Sequence, residues 1–207
     1  MENNINLNQD AFSLTGKTAL ITGATGFLGE YMSFALAGFG AHIVVTGRER
    51  KSVRQLVKRL IDSGYSASAL VFDLCNENQV SRALKSIKND PIHIIVNNAY
   101  SGVQGSQEFA KAVDYYYSYS TSVVATQLVF NLCINSLRLA VKLSGDASVI
   151  NIASMYGMES PDLRIYGSKA QANPPQYGAA KAALIQLTKY LATEYGSEKI
   201  RVNSISP

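Results

Sequence analysis

Six short apolar runs, spaced by segments of helix length, most narrow what this chain can fold into: "KTALIT" (17–22), "HIVVT" (42–46), "ALVF" (69–72), "IHIIVN" (92–97), "SVINI" (148–152) and "IRVNSI" (200–205). Strands that are apolar almost without interruption must be buried on both faces, which is the situation of a parallel sheet covered by helices. Helical patterns near 27–38, 49–62, 77–88, 107–143 (with a break) and 177–195 fall between them. The alternation implies a doubly wound α/β fold with six parallel strands. At 207 residues, with no repeat, linker or composition break, we expect a single domain over 1–207. The irregular stretches 97–106 and 155–176 lie beyond strand ends, where open α/β sheets bind their ligands.

Composition removes several classes of function. Hydrophobic residues at 47% and charged residues at 16% describe a globular chain rather than a disordered one. The net charge of +4 is mild, and the basic run "RERKSVRQLVKRL" (48–60) reads as a solvated helix face, so no nucleic-acid partner is expected. Cys75 and Cys133 stand far apart with no Cys/His cluster, which suggests neither a metal site nor a disulfide framework. His42 and His93 sit inside apolar runs and read as packed side chains. The polar N-terminus lacks a basic segment followed by an apolar core, and we expect no stretch apolar enough to span a bilayer; the expectation is a cytoplasmic protein with reduced thiols and no membrane partner.

The first run leads into "TGATGFLG" (22–29) and then into a helix. Gly23, Gly26 and Gly29 allow backbone N–H groups to approach a pyrophosphate at a helix N-terminus, where the macrodipole favours negative charge. In a dinucleotide site the tip of the second strand chooses the cofactor: a carboxylate takes the ribose hydroxyls of NAD, and an arginine accommodates the extra phosphate of NADP. Here that strand ends in Thr46-Gly47-Arg48, with Glu49 next, which favours NADP with NAD as the alternative. Asp73, after the third run, suits either an adenine amino group or a cap for the helix near 77.

"NPPQYGAAKAAL" (173–184) sets Tyr177 and Lys181 on one helical face. Pro174 and Pro175 are expected to hold the chain extended, so that the helix begins after them. A phenol with an ordinary pKa of about 10 is a poor base at neutral pH; a neighbouring ammonium and an oxidised nicotinamide both favour phenolate. Ser154 closes the fifth run, from which its hydroxyl can face the crevice at the carboxyl end of the sheet; its other reading is a turn cap.

Taken in order, "TGATGFLG", Asp73-Leu74, "NNAY" (97–100), "INIAS" ending at Ser154, Tyr177-Gly-Ala-Ala-Lys181 and "IRVNSISP" resemble the short-chain dehydrogenase/reductase family from Thr15 to Pro207. The resemblance implies a Rossmann fold and an NAD(P)-dependent oxidoreductase interconverting an alcohol and a carbonyl. It implies that Tyr177 is the general acid/base, that Lys181 supports it and holds the nicotinamide ribose, and that Ser154 orients the substrate oxygen. It also implies cofactor contacts for Thr22, Phe27 and Leu28 beside the glycines, for Leu74 beside Asp73, and for Asn98 and Ala99.

The chain departs from the family pattern in several places. The glycine spacing resembles the extended branch, which often acts on nucleotide sugars, while Y-x-x-x-K and "NSISP" resemble the single-domain branch. Tyr100 stands where that branch usually has glycine, and the asparagine expected from the long fifth helix is not evident, the local match falling near Ser118. The stretch between Ser154 and Tyr177 is longer than usual and polar; we expect it over the crevice, where Arg164, Lys169, Gln171 and Asn173 read either as hydrogen-bonding partners of a polyhydroxylated or phosphorylated, sugar-like substrate or as a solvated loop. Tyr115, Tyr116, Tyr117 and Tyr119 suit stacking on sugars or bases, but the resemblance, which implies a long helix pairing subunits, favours packing in the core or against a second subunit, the complete protein forming a homo-oligomer. Members of the family continue beyond the sixth strand with a seventh, so the reading includes a sheet lacking that strand, open to association and poorly active. An epimerase or dehydratase that retains its cofactor, and a silent nucleotide-binding protein, are the competing readings.

Overall fold

All six runs become strands of one parallel sheet in a computed structural model that describes residues 11–207. The elements in chain order are β1 (Thr18–Thr22), α1 (Phe27–Gly38), β2 (His42–Gly47), α2 (Arg50–Asp62), β3 (Ala67–Val71), α3 (Glu77–Lys85), β4 (Ile94–Asn97), α4 (Ala112–Tyr119), α5 (Ala125–Ser144), β5 (Ala147–Ile152), α6 (Pro175–Tyr195) and β6 (Ile200–Ile205). The strands lie in the order β3-β2-β1-β4-β5-β6. The winding therefore reverses at β1, which pairs with β2 on one side and with β4 on the other, Thr22 lying opposite Asn97. The crevice beyond this reversal is where a doubly wound sheet can receive a ligand.

Successive side chains of a strand point to opposite faces, and β1 accordingly feeds two cores. Ala19 and Ile21 pack with Ile43, Val45, Leu56 and Leu60 under α1 and α2, whereas Leu20 packs with Ile95, Val149, Phe130 and Leu137 on the other face. A buried polar chain ties the second face together: Asn97 Nδ2 donates to Asn151 Oδ1 (2.8 Å), Asn151 Nδ2 to Thr188 Oγ1 (2.8 Å), and Thr188 Oγ1 to the Leu184 carbonyl (2.8 Å). His93 is buried and accepts the Thr18 N–H at Nδ1 (3.0 Å), and His42 bridges Ser66 and Ser68; burial lowers the pKa of both imidazoles. No metal-holding cluster occurs among the described residues.

Three expectations are corrected. Pro175 opens α6 instead of preceding it, because the first helical position needs no N–H donor and has the φ that proline already holds. The segment expected as a broken helix is one rod from Ala112 to Ser144, its irregularity confined to a π-helical turn at Ser120–Val124. That rod is also long and apolar enough to cross a membrane by length and composition, contrary to the expectation that no such stretch exists. Its apolar face is nonetheless used here: Val129, Phe130, Cys133, Leu137 and Ala140 are buried in the core against the sheet.

Candidate active site

The turn after β1 is held by backbone rather than by bulk. Gly23 has φ of +62°, and a Cβ there would lie 2.8 Å from Ala99 Cα; a Cβ on Gly29 would fall on the Gly23 carbonyl oxygen. Gly23 thus admits the chain after β4, and Gly29 admits α1 against the turn at Gly23 and Ala24. Thr22 Oγ1 accepts the N–H groups of Asn98 (3.0 Å) and Ala99 (3.2 Å), while Asn98 Nδ2 donates to the carbonyls of Thr22 and Gly23 (3.1 Å each). Thr22 and Gly29 are buried, and neither lines the crevice: they build the turn that the other residues use.

Over this turn opens a crevice of about 380 Å³. Gly23, Gly26, Phe27 and Leu28 line it at the start of α1, Arg48 stands at the β2 end, and Asp73 and Leu74 follow β3. Asn98 and Ala99 close the β4 side. Phe27 is 80% exposed, an apolar ring left at the mouth. Arg48 reaches across to α4, where Nη1 donates to Tyr117 Oη (3.2 Å). Asp73 does not cap α3. Asn76 does, accepting the Gln79 N–H at 3.1 Å, because it stands immediately before the helix, whereas Asp73 Oδ1 accepts the Cys75 N–H at 3.0 Å. A glycine turn, a helix N-terminus and a guanidinium at the far end fit a dinucleotide with an anionic middle.

Tyr100 lines this crevice, and against it stand a second phenol and an ammonium, Tyr177 and Lys181, which with Ser154 do not themselves line it. Lys181 is 3% exposed, and its Nζ donates to the Ile152 carbonyl at 2.5 Å. Burial pulls the Lys181 pKa down to about 8. The same Nζ lies 5.6 Å from the centroid of the Tyr177 ring and 5.5 Å from that of Tyr100. The two rings meet edge to face at 4.8 Å and 76°. Ser154, two residues beyond Ile152, is buried; its Oγ accepts the Tyr156 N–H (3.2 Å), so the cap reading of this serine is realised geometrically while the residue stays at the β5 tip.

The polar stretch 155–176 is anchored elsewhere than on the crevice. Gly105 N–H donates to the Ala172 carbonyl (3.0 Å) and Ser106 N–H to that of Lys169 (2.8 Å), docking it on the loop after β4. Arg164 grips Asp162, Lys169 pairs with Glu108, and Asn173 lines a separate groove beside α6. None of Arg164, Lys169, Gln171 and Asn173 lines the 380 Å³ crevice. Reading the sequence foresaw Tyr100 only as bulk; that its ring turns onto Tyr177 has no signal in residue spacing.

Residues 17–207 match the family model described as short chain dehydrogenase. The chain belongs to that family. Like other short-chain dehydrogenases it is an NAD(P)-dependent oxidoreductase acting on CH–OH groups, with the family's Rossmann fold. It is 30% identical over 203 residues to the gluconate 5-dehydrogenase of Gluconobacter oxydans, covering 96% of this chain and 73% of that protein. It superposes on the gluconate 5-dehydrogenase of Burkholderia cenocepacia in complex with NADP and tartrate with a TM-score of 0.81 at 26% identity, over 97% of this chain and 74% of that one. A xylitol dehydrogenase with NAD+ bound gives 0.79 at 25% identity, over 94% of this chain and 70% of that one.

Proposed function

We propose that this short-chain dehydrogenase interconverts a secondary alcohol and a ketone on a small polyhydroxylated, sugar-like molecule, using NADP(H), with Tyr177, Lys181 and Ser154 as its catalytic residues. The observation that carries the reading is the buried Lys181 ammonium, held between the Ile152 carbonyl and the Tyr177 ring and next to Tyr100, which lines the nucleotide crevice. When bound, the nicotinamide supplies or takes up hydride. In reduction Tyr177 gives its phenolic proton to the carbonyl oxygen as charge grows there, and Ser154 donates a hydrogen bond to the same oxygen. In oxidation the proton returns to Tyr177. Gly23, Gly26, Phe27 and Leu28 would hold the pyrophosphate end, Asn98 and Ala99 the middle, Asp73 and Leu74 the adenine side, and Arg48 the 2′-phosphate.

The sugar-like substrate is supported by relatives named for gluconate and xylitol. Free thiols at Cys75 and Cys133 suit a cytoplasmic setting, and exposed Val113, Tyr116 and Tyr190 on α4 and α6 suit association with further copies of the chain. The test is a panel of sugar acids, ketoses and polyols with NADP(H) and NAD(H), followed at the nicotinamide absorbance. We expect net turnover with at least one of them, abolished in Tyr177→Phe. Isomerised product without net change in nicotinamide would point instead to a retained-cofactor epimerase.

A further inference from the structure

Tyr100 is not used by this reaction scheme, yet it stands against Tyr177, Lys181 and the crevice. It lines the crevice together with Gly23 and Arg48, its ring packs edge to face on Tyr177, and the Lys181 ammonium lies within cation–π reach of it. Its own hydroxyl is held on α4, 3.4 Å from the oxygen of Ser118, which is fully buried. Gly102 passes so close that a Cβ there would fall on the Tyr100 hydroxyl, so the loop fixes the ring from the other side.

We propose that Tyr100 is a positioning residue of the active site: its ring seats the Tyr177 phenol and cradles the Lys181 ammonium, and its bond to Ser118 braces that arrangement on α4. The proposal rests on the assignment of Tyr177 and Lys181 as the catalytic pair. A buried ammonium needs compensation for lost water, and one carbonyl supplies only part of it; the π-face of Tyr100 supplies a second attraction without competing for the proton. Tyr100 does not itself become the base, because burial raises its pKa, outweighing the pull of the Ser118 hydrogen bond. The titratable groups facing Lys181 are Tyr177 on α6 and Tyr100 from the loop after β4; Asp114 at the start of α4 acts on Tyr100, and Tyr177 acts on Tyr156 in the turn after β5.

Three variants separate the ring from the hydroxyl: Tyr100→Phe keeps the ring, and Tyr100→Leu and Tyr100→Met remove it at similar bulk. The first readout needs no cofactor: competitive amine labelling of Lys181 against pH, read by mass spectrometry. Both ringless variants should lose the Lys181 charge at lower pH, by about half a unit, while Tyr100→Phe follows the parent. The second is the steady-state split: the ringless variants should lose about tenfold in kcat, with KM for cofactor within about threefold, and Tyr100→Phe should recover most of the loss. A Lys181 labelling curve unchanged in the ringless variants would overturn the proposal, and so would the failure of both to fold, which would assign Tyr100 to the fold alone. If Tyr177→Phe itself stays active, the assignment of the catalytic pair fails, an outcome distinct from either of these.

Discussion

Lys181 is under opposing demands. Burial favours its neutral form and lowers its pKa to about 8, while the hydrogen bond to the Ile152 carbonyl favours the ammonium. The charge is present below about pH 8 and is lost as pH rises through it, so carbonyl reduction should decline above that point; a pH profile of kcat measures it. The same group links pH to stability. In the unfolded chain lysine keeps its proton to about 10.4, so between the two values the unfolded state binds more protons and the folded state gains stability as pH rises. We expect Lys181→Met to remove that gain, about 2–3 kcal/mol, in urea unfolding compared at pH 7 and pH 10. Tyr177→Phe should lower kcat by about 10²–10⁴ and leave the cofactor Kd within about threefold, since only a proton donor is deleted. The pair was legible in the sequence because a helix fixes the faces of residues four apart. Tyr100 was not, because it follows a strand into an irregular loop, where no period fixes side-chain direction.

Between elements the fold depends on two kinds of close fit. Where α1 leaves β1, Gly29 has no room for even one carbon, and the atom in the way is backbone that cannot turn aside. Gly29→Ala should therefore push α1 off the sheet, costing about 1–3 kcal/mol and weakening cofactor binding as the turn distorts; urea unfolding and a fluorescence titration check both. Across β4, β5 and α6, Asn151 accepts from Asn97 and donates to Thr188. Asn151→Ala would leave the buried Asn97 amide without its partner, while Thr188 keeps its bond to the Leu184 carbonyl, and should cost roughly 1–3 kcal/mol, read from the same unfolding curve. Strand positions were legible because the strands write nearly continuous apolar runs; their order in the sheet was not. The start of α6 was misplaced because proline stops a helix in its interior but suits its first position. The docking of 168–176 left no sequence signal, since its anchors at Gly105 and Ser106 are backbone N–H groups that any residue type except proline supplies.

At the scale of the whole molecule, a ligand bound only by the folded state stabilises it by mass action, by about 2.7 kcal/mol at 100 times its Kd. For a chain of this length that corresponds to a rise in Tm of roughly 5–10 °C. With Arg48 at the β2 end of the crevice, NADP should raise Tm more than NAD at equal concentration, and Arg48→Ala should abolish the difference; thermal unfolding with each nucleotide decides it. Equal shifts in the parent would remove Arg48 from cofactor choice. The pairing of the loop after β4 with the stretch before α6 also bears on how such enzymes can be recombined. Two backbone bonds and the Lys169–Glu108 pair make these distant stretches one surface, so each is shaped by the other. Grafting 155–176 from a relative to change what the enzyme accepts would carry over half of a matched set; the graft should hold its shape only when residues 101–109 of the same donor travel with it.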